Sequence, residues 1–562
     1  MTGNSALDLG NVGTQAVTIG SLHDEILEDI FDLVAYRNLD WEWIGNRGDL
    51  GYYESSSLGT LQLVCSRWQR VVQYYQQFWA TLVLPLVSAA YIHRAVRLSG
   101  TAPLCIITDE YIVNGFMEKD KHVQSCRAKE VATLLLDLLS TEASRISTLI
   151  VDNMVQDLCE EICLENPDRV VPGTPHLRVL HLWWPPESSM FWDTFVAKAP
   201  HLDVLSFPPF GPFDGWRSWS TILTTPPFTQ LRFLALGTPC YNVLHSYPGP
   251  LLTLLRQLPN LETLVLCRLS FRETSPTGPS LPLPCLRTLH CDYLHCNEMP
   301  LLAMIDCPAL SRFTMTNGTI PMDENGGPAA LVAALRHIIT QLQPDMIRHV
   351  NISVAAKGRL VISGWSEEPY TKATQRLLLE FSFWWKVEGV AFLRAVCAFV
   401  PLDSVRVLHI QGDLCLSPGA VPVTALAPLG CALTGVEHLR VSGILSAETL
   451  DAVARLLHDE DASDGAPSLP ALQHAAFELE AVCPQSPRPQ EYVDGLCSVL
   501  SRRAQTRPRP LDMLRLHFRE GDGQPSPDAR PILCACAREA VLDTGRPSLS
   551  KLPHECPKEW VW

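Results

Sequence analysis

The chain has 562 residues, 47% hydrophobic and 19% charged, which excludes a disordered polypeptide and exceeds what one small core can organise. Two or more domains, or one elongated repeat array, are expected. A formal net charge of −16 at pH 7 excludes a general binder of nucleic acid or anionic membrane, since both need a cationic surface.

The first 20 residues lack a basic segment followed by an unbroken apolar run, so no secretory leader is expected. No stretch of about 18 apolar residues offers a membrane span. The 19 cysteines sit mostly inside apolar stretches such as Val64-Cys65, Leu266-Cys267 and Val396-Cys397, where a thiol acts as a small core residue. They are read as reduced, in a cytoplasmic or nuclear protein.

The first patterned segment, SLHDEILEDIFDLVA (21–35), places Leu22, Ile26, Ile30 and Val34 four residues apart, with Leu27 and Phe31 widening the stripe. That spacing predicts an amphipathic helix, with Ser21 as N-cap and Asp24 and Glu25 at the positive end of its dipole. Residues 37–57 then form a glycine- and aromatic-rich loop containing Trp41, Trp43, Tyr52 and Tyr53, a candidate contact surface or a packing element. A second helix is expected over 58–75, where Leu58, Leu61, Val64, Cys65, Trp68, Val71, Val72 and Tyr75 follow steps of three and four. QQFWATLVL (76–84) leads into a β-prone stretch.

Residue identity goes beyond periodicity. Leu22, Glu25, Ile26, Leu27, Ile30 and Phe31, then Leu61, Val64, Cys65 and Trp68, then Phe78 and Trp79 form an order that resembles the F-box, the helical module that binds the Skp adaptor. AYIHRAVRLSGTAPLCI (90–106) is similar to the continuation found in F-box proteins of mushroom-forming fungi. The sequence departs from the family where Leu22 is followed by His23 instead of proline, and in the inserted loop.

Past residue 100 the chain repeats. HLRVLHLWW, HLDVLSFPP, QLRFLALGT, NLETLVLCR, CLRTLHCDY and ALSRFTMTN begin at 176, 201, 230, 260, 285 and 309, at intervals of 25, 29, 30, 25 and 24. This spacing and the LxxLxL strand are those of leucine-rich repeats. Earlier strands are expected at 103–109 and 145–152, the latter after a helix over 128–140. SVRVLHIQG, GVEHLRVSG, ALQHAAFEL and PLDMLRLHF, from 404, 435, 471 and 510, continue the theme at intervals of 31, 36 and 39. The added length carries helical patterns at 446–458 and 489–505. Between 329 and 401, two helical patterns and two strands (MIRHVNISV and RLLLEFSFW) are read. Proline- and glycine-rich stretches at 272–284, 317–328, 459–470, 483–490 and 519–531 are expected to be mobile loops between repeats.

Signatures of catalysis are missing from the sequence: no GxxxxGK[ST] loop, no GxSxG elbow and no HExxH. Cys285, His290, Cys291, His295 and Cys296 carry zinc-ligating groups, but Cys291 holds the slot that is leucine in neighbouring repeats, so core filling is expected. Cys534 and Cys536 are read the same way. The acidic run at 458–464 is read as a solvated loop, with docking of a basic partner as the alternative. The Trp183-Trp184 and Trp384-Trp385 pairs are candidate target contacts.

The expected fold is therefore α/β: a flexible N-terminus at 1–19, an F-box at 20–84, an irregular leucine-rich-repeat solenoid at 100–540 and a tail at 541–562. Strands should line the concave side and longer helices the convex side. The resemblance implies a non-enzymatic subunit of a cullin-based ubiquitin ligase that recruits a protein target, with no metal or other cofactor of its own. Leu22, Ile26, Leu27, Ile30, Phe31, Leu61, Val64, Trp68 and Phe78 are the residues expected at the adaptor interface or immediately supporting it. Periodicity does not separate those two roles. The alternatives are a non-ligase interaction scaffold with a degenerate F-box, and an enzyme or zinc protein in the C-terminal half.

Overall fold

The structure, a computed structural model, describes residues 22–36, 61–84, 88–108, 121–166, 173–182, 198–207, 228–237, 248–267, 280–292, 299–318, 327–342, 347–355, 359–366, 377–384, 400, 402–413, 432–444, 453, 456–457, 469–479, 489–506, 510–518 and 529–543. It is an α/β chain with predominantly parallel strand pairing, divided into two compact units, 1–180 and 181–562.

In the first unit, α1 (Asp24–Tyr36) forms where the four-residue apolar spacing predicts it. The expected helix over 58–75 is interrupted. Residues 61–64 are helical, Cys65 is extended (φ −162°, ψ 167°), and α2 (Ser66–Tyr74) starts anew. The Cys65 thiol accepts a 3.5 Å hydrogen bond from the Trp68 amide, so the residue that breaks the helix also caps its continuation. A short 3-10 turn (Gln76–Trp79) leads into β1 (Thr81–Leu84). Then come α3 (Ala89–Leu98), β2 (Leu104–Thr108), α4 (Lys121–Thr141), β3 (Ile146–Val151) and α5 (Asn153–Glu165). β1, β2 and β3 pair in parallel. Between α3 and β2, Gly100 takes φ +53°, a left-handed turn that glycine adopts without steric cost. Arg145 closes this corner, donating to Ser99 Oγ at 2.8 Å and to the Ala102 carbonyl at 3.0 Å. β4 (Val179–Leu182) crosses the division between the units.

The second unit shows how the repeated motif sets strand register. β5 (Val204–Phe207), β6 (Phe233–Gly237), β7 (Thr263–Cys267), β9 (Thr288–Asp292) and β11 (Arg312–Gly318) each start three residues into their motif. They pair in parallel with like positions opposite like positions. Leu205, Leu234, Leu264, Leu289 and Phe313 form one buried file, and Phe207, Leu236, Leu266, Cys291 and Met315 the next. Each such side chain contributes about 1.5–3 kcal/mol on burial, and a one-residue slip would turn the whole file outward. α6 (Pro248–Arg256) follows β6. The short strands β8 (Leu281–Pro282) and β10 (Ile305–Asp306) pair with each other, with α7 (Met299–Met304) between them in sequence. Leu281 and Pro282, expected in a loop, are thus strand residues because they find this partner.

After α8 (Gly327–Gln341) the order changes. β12 (His349–Ala355), β13 (Arg359–Trp365) and β14 (Leu377–Trp384) form an antiparallel trio. β14, not β12, lies parallel to β11, and β12 lies parallel to β15 (Val407–Asp413). β13 was not among the expected strands. Parallel order resumes through β16 (His438–Ile444), β17 (His474–Leu479), β18 (Leu511–Phe518) and β19 (Ala537–Asp543). α9 (Pro489–Thr506) precedes β18 and α10 (Ala529–Cys536) precedes β19. Val350, Leu408, Leu439, Ala475 and Leu514 repeat the buried file seen in the first run.

Just before several strands the third motif position carries a charge that pairs with that of the next strand: Arg232 bonds Glu262 (2.7 Å) and Arg406 lies 3.6 Å from Glu437. Within β18 and β19, Arg538 pairs with Asp512 at 3.1 Å.

Candidate functional site

The helical segments of the first unit hold two kinds of apolar residue. Leu27, Phe31, Leu61 and Phe78 are buried, as are Val71, Val72 and Trp79. Phe31 meets the Trp68 ring edge-on at 4.8 Å and lies 6.0 Å from Phe78, giving an aromatic core worth more than its area alone. The Trp79 indole N–H donates to the Val72 carbonyl at 2.7 Å. Leu22, Ile30 and Trp68 are half-buried.

Ile26 and Val64 face outward, 44% and 54% exposed, and Leu63 is 86% exposed. These three lie on α1 and on the short helical segment just before α2, and Tyr74 at the end of α2 and Leu164 on α5 are exposed as well. The nine residues expected at or behind an adaptor interface thus divide into a buried support (Leu27, Phe31, Leu61, Phe78), a half-buried border (Leu22, Ile30, Trp68) and an outward pair (Ile26, Val64). Leu63 was not expected. In one unbroken helix over 58–75 it falls off the apolar stripe, and only the break at Cys65 gives the preceding turn its own orientation.

The two helices are joined by Arg67, two residues past the break. Its Nε and Nη2 donate to Asp24 Oδ1 at 2.8 and 2.6 Å, and Nη2 also donates to the Leu22 carbonyl.

A second polar arrangement lies on the sheet face opposite the buried file in the second unit. His409 Nε2 lies 2.7 Å from Ser442 Oγ, Arg440 donates to Glu478 at 2.6 Å, and Thr316 donates to Asp292 at 2.8 Å. The His438 and His474 rings are stacked across β16 and β17. Burial lowers the imidazoles of His349, His409 and His438 to about 4, with neighbouring Arg440 (for His409) and His474 (for His438) acting the same way. These three imidazoles are neutral near pH 7.

Among the five residues with zinc-ligating character, Cys291 is fully buried in the leucine slot of β9. His290 lies on the opposite side of the strand, bonded to Thr314 Oγ1, so the two cannot converge. His295 and Cys296 lie outside the described residues. Among the described residues no cluster of three or more His, Cys, Asp or Glu could hold a metal ion, and no helix is long and apolar enough to cross a membrane. Cys536 is buried and Cys534 exposed. Trp41, Trp43, Tyr52, Tyr53, Trp183, Trp184, Trp385 and the acidic run at 458–464 lie outside the described residues, and Trp384 ends β14.

The chain matches no model of a known protein family and no curated protein sequence.

Proposed function

We propose that this chain is a substrate-recruiting subunit of a cullin-based ubiquitin ligase, docking on a Skp-type adaptor through α1 and the segment 61–68. The observation that carries this reading is the outward apolar set Ile26, Leu63 and Val64 above a packed aromatic core. These three exposed aliphatic side chains, on two helical segments joined through Arg67, offer apolar surface from which a partner that buries it gains about 25 cal/mol per Å2. The F-box-like residue order supports the same partner. The strands that follow, in leucine-rich-repeat-like register, supply the surface for a protein target, and the expected solenoid is the arrangement in which they do so. The chain's contribution to ubiquitin transfer is proximity rather than chemistry.

The test is binding of purified adaptor to the full chain and to an Ile26→Asp/Val64→Asp variant. Both positions are exposed, so the variant keeps its fold, which circular dichroism checks. Sub-micromolar binding by the wild type, lost in the folded variant, is expected. Absence of wild-type binding would leave the alternative of a repeat scaffold with a degenerate F-box.

A further inference from the structure

We propose that Arg67 is the positioning residue for this docking face: it holds the first turn of α1, and with it the side chain of Ile26. The inference rests on the adaptor-docking reading.

α1 is held in the core by buried Leu27 and Phe31, and two consecutive residues of the second helical segment reach it. Trp68 meets Phe31 edge-on. Arg67 takes Asp24, and the same guanidinium reaches the carbonyl of Leu22, so it grips the chain on both sides of His23. Asp24 and Phe31 are seven residues apart, which in an α-helix is about 10 Å along the axis. Leu27 and Phe31, both fully buried, hold the rest of the helix. Ile26 lies in the first turn, between Asp24 and Leu27. Without Arg67 that turn can fray as far as Leu27 and lose the orientation of Ile26 while the buried residues stay packed.

This also explains how α1 begins without proline. A proline at a helix start fixes φ near about −65° and removes a donor the helix does not need. At position 23 the structure uses the carbonyl, which accepts from the Leu27 amide at 3.2 Å. Conformational restriction that proline would supply within the chain comes here from a guanidinium 44 residues away. The bond is charge-assisted and shared between a carboxylate and a carbonyl, a geometry that lysine cannot reproduce.

The experiment uses the full chain with purified adaptor and compares wild type, Arg67→Met and Arg67→Met/His23→Pro. Affinity is read together with hydrogen exchange of the Leu27 amide in the free protein. Methionine keeps much of the apolar stem, so the fold is retained. Arg67→Met is expected to weaken binding about tenfold and to speed Leu27 exchange, with His23→Pro recovering most of both. Faster exchange with unchanged affinity would overturn the positioning role, as would a loss of affinity that proline does not recover. If wild type fails to bind, the docking reading falls; unchanged Leu27 exchange in Arg67→Met would separately overturn the anchor.

Discussion

The imidazoles of His438 and His474 lie face to face on neighbouring strands, ring centroids 4.6 Å apart and planes 19° from parallel. Burial first, and then the neighbouring His474 and His349 rings, disfavour a charge on His438. His349 stands on β12, and the ion pair of Arg440 on β16 with Glu478 on β17 lies beside His409.

An acid sensitivity follows. His349, His409 and His438 have folded values of about 4, below the ordinary 6.5 of the unfolded chain. Between these values the unfolded chain binds more protons, so stability is full above pH 6.5 and is lost as pH falls toward 4. Thermal unfolding from pH 7.5 to 5 is expected to show a falling midpoint, with a shallower fall in His438→Gln/His474→Gln. Equal slopes in variant and wild type would rule out this cluster as the cause.

Buried Arg503 donates from two guanidinium nitrogens to the carbonyls of Leu457 and Leu469, each at 3.2 Å. Replacing it with methionine leaves both carbonyls without that donor and should cost about 2–4 kcal/mol in denaturant unfolding. Lysine should recover only part, because it does not present the forked donors.

Gly435 opens its motif where neighbouring repeats carry side chains. A Cβ there would stand 2.1 Å from the Asp403 carbonyl oxygen, and the Gly435 carbonyl accepts from Arg406 at 3.0 Å. Gly435→Ala is therefore expected to destabilise by about 1–3 kcal/mol, since backbone must move to admit it. A neutral result in denaturant titration would mean that this turn is looser than its geometry implies.

The charged positions before the strands should behave oppositely. Arg232 and Glu262 are substantially exposed, and Glu262→Gln should change stability by no more than about 1 kcal/mol. A double-mutant cycle with Arg232→Ala measures the pair directly.

The strand positions were legible because the LxxLxL spacing writes register into sequence: a leucine one motif on occupies the equivalent place in the next strand. The division between Leu27 and Ile26 was not legible. Adjacent residues on a widened stripe both satisfy helical periodicity, and only packing shows that one is core and the other outward. Consequently a Leu27→Asp substitution would test the unit's stability rather than its docking face. The break at Cys65 escaped for a related reason, because the apolar spacing runs through it unchanged. β13 was missed because RLVISGW lies outside the motif, and alternation carries no information on strand direction.

The antiparallel trio has a consequence for how such a chain can change over generations. Where every strand sits beside its predecessor, a unit can be duplicated or lost and the remainder closes ranks. Phe313, however, pairs with Leu379, 66 residues further on, and His349 pairs onward with Val407. A cut between β12 and β14 would deprive both flanking runs of a neighbour at once. Gain or loss of a single unit is thus compatible with the runs on either side, whereas removal of one strand of the trio breaks the pairing of both runs.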